Sequence, residues 1–272
     1  MKDTREEWYD ADGKVAVTVV DVTSAAQALA RGHLCGPTSA HFLSKALAAA
    51  ALLGAEIESE DETVIVQMKC KGPLGGFNVE CTAAGTLRGY TERKVLDDFD
   101  GLGAPDPRKV VGERQIQVTR SVPGRILSQG ISNSLDGYLA GSLQRKARIF
   151  LEASVSDDVE IFEARGVMVE ALPDSRLAVS EVVAPLEEAM RARAGALAVS
   201  PRTTLARMGL SGAELKKTSP VSFACRCSPD RAVAMLSALG EDERRALPPA
   251  IDITCHMCGR TFTVRTGGGD AK

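Results

Sequence analysis

Aromatic residues are scarce in this sequence. Seven Phe, three Tyr and one Trp make up 4% of 272 residues. The core must therefore rest on aliphatic side chains and Ala. Long hydrophobic runs are missing as well. The longest nearly unbroken one, Ala46 to Leu53, is far short of the ~20 apolar residues that a membrane span needs. The start, Met-Lys-Asp-Thr-Arg-Glu-Glu-Trp, carries no apolar stretch of the secretory kind, so a cytoplasmic protein is expected, with no membrane partner. Basic charge is not in excess. Lys and Arg number 33 against 36 Asp and Glu, for a formal net charge of -3 and a pI near 5.8. That balance argues against a chain whose main work is gripping phosphate backbones. Catalytic signatures are missing too: no G-x-S-x-G elbow, no G-x-x-x-x-G-K-S/T loop and no H-E-x-x-H helix. Gly72-Pro-Leu-Gly-Gly76 reads as a turn, not as a phosphate cradle. ATP use has no visible support, and the expectation is a protein that is not an enzyme.

What is present fits a globular chain of one large or two smaller domains, with 25% charged and 44% hydrophobic residues. Strands dominate the first part. Val15 to Val22 is rich in β-branched residues, Glu62 to Lys69 alternates, and Phe77, Val79 and Cys81 share one face. Ile116 and Val118 continue the pattern, as do Ile149 to Ala153 and Gly166 to Leu172. Helices are expected from Thr23 to Arg31, Thr38 to Leu53 and Ser134 to Arg148, and the charge run Glu58 to Glu62 reads as a solvated turn. The sum is an α+β domain over residues 1–172, a mixed sheet-and-helix fold.

Pro173-Asp174-Ser175 marks a boundary. Residues 173–222 read as a loose helical linker. Val179, Val182, Val183 and Leu186 form an apolar face, while Pro185, Gly195, Pro201, Gly209, Gly212 and Pro220 interrupt any long helix. Such a segment folds only by lying on its neighbours, which makes it a candidate metastable element. The final Gly267 to Lys272 reads as disordered.

Of seven cysteines, Cys35, Cys70 and Cys81 are scattered and read as core or half-buried thiols. His33 and His41 are near Cys35 in sequence, but a Cys–His pair alone is weak evidence for catalysis. The other four form C-x-C and C-x-x-C: Cys225, Cys227, Cys255 and Cys258. Two close thiol pairs suit a tetrahedral zinc site. Between them, Ser228 is a good N-cap, Pro229 fits the first helical position and Asp230 complements the helix dipole. A second short helix is expected from Glu241 to Leu247. Ile251, Ile253 and Phe262, Val264 read as strands flanking a zinc knuckle. So small a module, residues 223–272, would hardly fold without its metal. His256, between two proposed ligands, reads as a solvated or hydrogen-bonding side chain.

Whether the zinc is permanent structure or a redox switch stays open on spacing alone. Arg226, Arg231, His256 and Arg260 lie close in sequence and would favour thiolate, the oxidisable form. Each pair is close enough to close its own disulfide. A C-x-C ring would be small and easily reduced. Against these stand a structural zinc ribbon that binds nucleic acid, with Arg226, Arg231, Arg260 and Arg265 as its basic groups, and a thiol–disulfide oxidoreductase using C-x-x-C. The acidic chain and missing aromatic interleaving disfavour the first. The second lacks a thioredoxin-like βαβ context around Cys255.

Phe223-Ala-Cys225-Arg-Cys227-Ser228 with Asp230-Arg231, then Ile251-Asp-Ile-Thr-Cys255-His-Met-Cys258-Gly259, resembles the zinc-binding tail of the heat shock protein 33 family. Thr63-Val-Ile-Val-Gln-Met-Lys, Lys71-Gly-Pro-Leu-Gly-Gly76, Leu87-Arg-Gly-Tyr90 and Gly166-Val-Met-Val-Glu-Ala-Leu-Pro173 are similar to upstream parts of that family, in the same order. Residues 91–110 match poorly. The resemblance implies an ATP-independent holdase, inactive while reduced and bound to one Zn²⁺ per chain. Oxidation would form the disulfides Cys225–Cys227 and Cys255–Cys258, release zinc, unfold the linker and expose surface for unfolding client proteins. It also implies a homodimer in the oxidised state.

Overall fold

The computed structural model describes residues 3–192, 197 and 200–265. The expected disorder of Gly267 to Lys272 and the break at Gly195 lie outside them. The chain opens with β1 (Thr4–Asp10) and β2 (Val15–Asp21), an antiparallel pair. Helices α1 (Thr23–Gly32) and α2 (Pro37–Leu53) follow, then β3 (Thr63–Cys70), β4 (Gly76–Thr82) and β5 (Thr86–Thr91). After a short α3 (Pro107–Val110) come β6 (Arg114–Val122), β7 (Arg125–Ser132), α4 (Leu135–Ser142), β8 (Lys146–Val155) and β9 (Ile161–Ala171). Helices α5 (Val179–Arg191) and α6 (Pro201–Arg207) lead to β10 (Glu214–Pro220) and β11 (Ser222–Phe223). The chain then forms α7 (Pro229–Ser237), α8 (Glu241–Arg245), β12 (Ala250–Thr254) and β13 (Thr261–Arg265).

Two sheets form the body. One runs β10-β1-β2-β9-β8, the other β11-β5-β4-β3-β6-β7. Between them lies α2, which packs on β2, β8 and β9 on one side and on β3, β4 and β5 on the other. Its sequence explains the position. It is apolar around its whole circumference, the pattern of a buried helix. Ala46 and Ala48 to Ala51 let both sheets come close, while Leu43, Leu47, Leu52 and Leu53 fill the gaps. The shortage of aromatics is thus met by an Ala-rich central helix.

The outer face of the first sheet presents Trp8, Val15, Val17, Phe150, Val167 and Val169. Val182, Val183 and Leu186 of α5, with Leu205, Met208 and Leu210 from α6 and the turn after it, cover that face. The apolar stripe read from the sequence is therefore the one that docks.

Several expectations are corrected. The helix expected over Ser134 to Arg148 is α4 alone. Ser134 caps it by accepting from the Gly137 amide at 3.0 Å. Gln144 then turns through a positive φ of 54°, and the chain enters β8 at Lys146. The last part of the segment read as helical, Glu214–Pro220, is β10. It pairs antiparallel with β1 across a register shift at Glu7/Trp8. Its polar sequence gave no strand signal. The same is true of β1, and β7 is an edge strand with most side chains in solvent. The Glu58 to Glu62 run is not simply a solvated turn. The Glu62 side chain is only 2% exposed and pairs with Arg120. That guanidinium holds the Glu62 carboxyl below its usual range.

Candidate metal centre

β12 and β13 pair in register from Ala250↔Arg265 to Thr254↔Thr261. The turn between them carries Cys255 and Cys258. Cys255 N donates to Arg260 O at 2.8 Å, Cys258 N to Cys255 O at 3.3 Å, and Gly259 N to Cys255 O at 2.8 Å. Gly259 closes the turn at φ 74°, where a side chain would be strained. The other pair sits between β11 and α7, whose start Ser228 caps by accepting from Arg231 N at 3.2 Å. The helix and strand positions read from this part of the sequence are all found. The module's own core is small: Ala232, Leu236, Phe262 and Val264.

The fold brings Cys225, Cys227, Cys255 and Cys258 together, with all four sulfurs within 4.8 Å of one another. Cys225 Sγ lies 3.7 Å from Cys255 Sγ, and Cys227 Sγ 3.5 Å from Cys258 Sγ. Zn–S bonds of 2.3 Å in a tetrahedron would hold sulfurs about 3.8 Å apart. The four thiols therefore fit a zinc ion in donor type, number and spacing. Cys258 is buried and the other three are partly exposed. Burial pushes the Cys225 thiol up. The Cys227 amide and the Arg88 guanidinium more than offset it, and its pKa falls to about 7. Burial and the neighbouring thiols raise Cys227, and burial, with Cys225 and Cys255 beside it, raises Cys258.

Sequence reasoning named Arg226, Arg231, His256 and Arg260 as the cations nearby. The group that reaches a sulfur is Arg88 of β5, whose Nη1 donates to Cys225 Sγ at 3.9 Å and whose Nε donates to Glu80 at 2.7 Å. Arg226 also faces Glu80, at 3.5 Å. His256 is not part of the thiol cluster. Its ring meets Tyr90 edge-on at 4.0 Å between centroids. Nothing local in Leu87-Arg-Gly-Tyr90 signals this contact across the fold.

The turn is seated directly on the body. Gly89 N donates to Met257 O at 3.0 Å, and His33 Nε2 lies 2.9 Å from Gly89 O. A Cβ on Gly32 would fall 2.6 Å from the Cys258 carbonyl oxygen, so only glycine permits this approach. Cys35, Cys70 and Cys81 stand apart from the cluster, as read. Burial raises all three thiols, Cys81 to about 11, and leaves them poor nucleophiles. His41 stacks edge-on against Phe42 at 5.4 Å. No described helix is long and apolar enough to cross a membrane.

Fold and site together define an α+β protein whose C-terminal module closes around four thiols suited to a metal ion. A match to the family described as Hsp33 protein spans residues 3–265, and the chain belongs to that family. It is 26% identical to the 33 kDa chaperonin of Geobacillus kaustophilus, over 92% of this chain and 90% of that one. To the 33 kDa chaperonin of Bacillus licheniformis it is 27% identical, over 92% of each. The crystal structure of the 33 kDa chaperonin (heat shock protein 33 homolog) from Thermotoga maritima has the same fold. It superposes with a TM-score of 0.81 at 18% identity, over 98% of this chain and 96% of that one. These names place the chain among chaperones rather than enzymes.

Proposed function

We propose that this chain is a redox-regulated, ATP-independent holdase of the cytoplasm. The observation that carries the reading is the meeting of four thiols from two short turns, in a module that rests on the chaperone body. Bound Zn²⁺ would tie the four thiolates into one tetrahedron and so close a module with little core of its own. Residues 1–172 act as the chaperone core, 173–222 as the linker and 223–272 as the switch. β10 and β11 tie the end of the linker into both sheets.

In the reduced chain, α5 and α6 cover the apolar face built on Trp8, Val17 and Val167. Oxidation removes two electrons from each thiolate pair as an S–S bond forms, and one peroxide per pair takes up those electrons with two protons from solvent to give two waters. The pairing is Cys225–Cys227 and Cys255–Cys258. Four sulfurs locked in disulfides offer no thiolate to a metal, so zinc leaves and the module loses its closure. The linker then has less to dock against, and the equilibrium shifts toward an open state that binds unfolding proteins. The oxidised chain forms a homodimer.

The test treats the zinc-loaded protein with peroxide under mild heat. It follows zinc with a coloured chelator and client aggregation by light scattering. Zinc release and aggregation suppression should appear together and be reversed by a dithiol. Oxidised protein that keeps its zinc and leaves aggregation unchanged would sink the reading.

A further inference from the structure

The outward edge of β5 is held by this chain's own backbone at three points. Ser222 N donates to Gly85 O at 3.0 Å, Ala224 N to Leu87 O at 3.2 Å, and Gly89 N to Met257 O at 3.0 Å. The first partner is the last residue of the linker, the second lies just before Cys225, and the third lies in the Cys255–Cys258 turn. β11 is only two residues long and runs parallel to β5, pairing Ser222 with Thr86 and Phe223 with Leu87. So short a ladder has little hydrogen-bonded stability of its own, and it is held besides by α1 and by Phe223 against the body's core. Once the turn and the segment at Ala224 let go, the Leu87 carbonyl and the Gly89 amide face outward without these partners. An unpaired strand edge is a template for another extended chain.

We propose that the outer edge of β5 is a strand-addition site for extended segments of unfolding proteins, occupied in the closed chain by β11 and the Met257 carbonyl as internal stand-ins. The proposal rests on the chaperone reading above and locates where clients are held. What already sits there fits an extended chain: a backbone in parallel register, followed by a further carbonyl along the same edge. Main-chain hydrogen bonds need no particular sequence, which suits a protein that holds many clients. Tyr90, now against His256, and Arg88, now against Cys225, flank the edge and are released with it. β7, at the other end of this sheet, shows Ile126 and Ile131 to solvent in the closed chain already. It cannot be what oxidation uncovers.

The experiment is residue-resolved amide hydrogen exchange on the full chain, with reduced, carboxymethylated α-lactalbumin as a permanently unfolded client. The Gly89 amide should exchange slowly in the zinc-loaded protein and at least 100-fold faster after oxidation. It should slow again at least tenfold when the client binds. A Gly89 amide that stays fast under bound client overturns the proposal, as does protection that the oxidised chain acquires by itself on dimerising. Complete loss of client binding is a different result, which removes the chaperone reading and this site with it. In a second arm, Ser222→Pro removes the N–H that reaches Gly85. The reduced, zinc-loaded variant should keep its metal and bind the client at least threefold tighter than the parent. Parent-like affinity there overturns the stand-in role of β11.

Discussion

In the body, α2 buries Leu43, Leu47, Leu52 and Leu53 between two sheets, within a core that draws on most of the first 170 residues. The C-terminal module's own core is Ala232, Leu236, Phe262 and Val264, while its buried Cys258 packs into the core of the body. At about 25 cal/mol per Å² of apolar surface removed from water, the first region can hold its fold by burial and the second cannot. The difference assigns each region its own vulnerability. The body answers to packing, and the module answers to the state of its sulfurs. On the proposed function, a chain that senses oxidant and still holds clients needs that separation, because the holding surface has to survive the event that opens it.

The sharpest break of this comparison is metal removal. A structural zinc site supplies roughly 10–16 kcal/mol of apparent binding energy to a small module. A strong chelator, or Cys258→Ser, should therefore unfold residues 223–265 and leave the body intact. Limited proteolysis and near-complete loss of amide protection in β12 and β13 would report the first. Unchanged protection in α2 would report the second. If α2 lost protection in step with β12, the two regions would be one cooperative unit and the comparison would fail.

The reverse experiment perturbs the body alone. Leu47 is fully buried at the centre of α2, and Leu47→Ala should cost about 2–5 kcal/mol, the range for cavity-forming core changes. Urea unfolding of the body should shift accordingly, while zinc affinity stays within twofold. A large fall in zinc affinity would show that the body's packing reaches the thiols through the Gly32–Cys258 contact.

The legibility of the sequence differs between the same two regions. In the module nearly everything was readable, because capping residues, Gly positions and Cys spacing are local signals, and local signals decide a fold with so little core. In the body, β2 followed from its β-branched residues, β3 and β4 from alternation, and α2 from its Ala-rich run behind Pro37. β1, β7 and β10 did not, because an edge strand or one that pairs mainly through its backbone needs no apolar alternation. α4 was read too long since nothing in Leu143 to Lys146 announces a left-handed Gln144. The four thiols were named from spacing. Arg88, Gly32 and Gly89 were not, since their role arises from approach across the fold rather than along the chain.

Acid offers a smaller test that again acts on the body. His41 is buried in α2, and burial, reinforced by the charge of Lys45, lowers its pKa from 6.5 to about 3. A base held neutral in the fold stabilises it fully above the unfolded pKa. That contribution fades as pH falls from about 6.5 towards about 3, because the unfolded chain binds the proton first. Metal-free protein should therefore lose body stability across this window by an amount on the order of a few kcal/mol. His41→Leu should flatten that part of the profile. Using metal-free protein matters, because acid also protonates thiolates and would open the module by a separate route.

The smallest effect is expected at Ser228, where it tests whether local signals really carry the module. Its hydroxyl accepts from the Arg231 amide and caps α7, the helix that follows the first thiol pair. Ser228→Ala should cost about 1 kcal/mol. In the body such a loss would be minor against the whole core. In the module it falls on a unit whose closure the proposed function gives to zinc, so it should appear as zinc binding weakened about fivefold, the equivalent of that energy at room temperature. Competition with a chelator of known affinity measures the shift directly. If zinc affinity were unchanged while body stability fell, the cap would belong energetically to the body, and the division drawn here would run through the wrong residue.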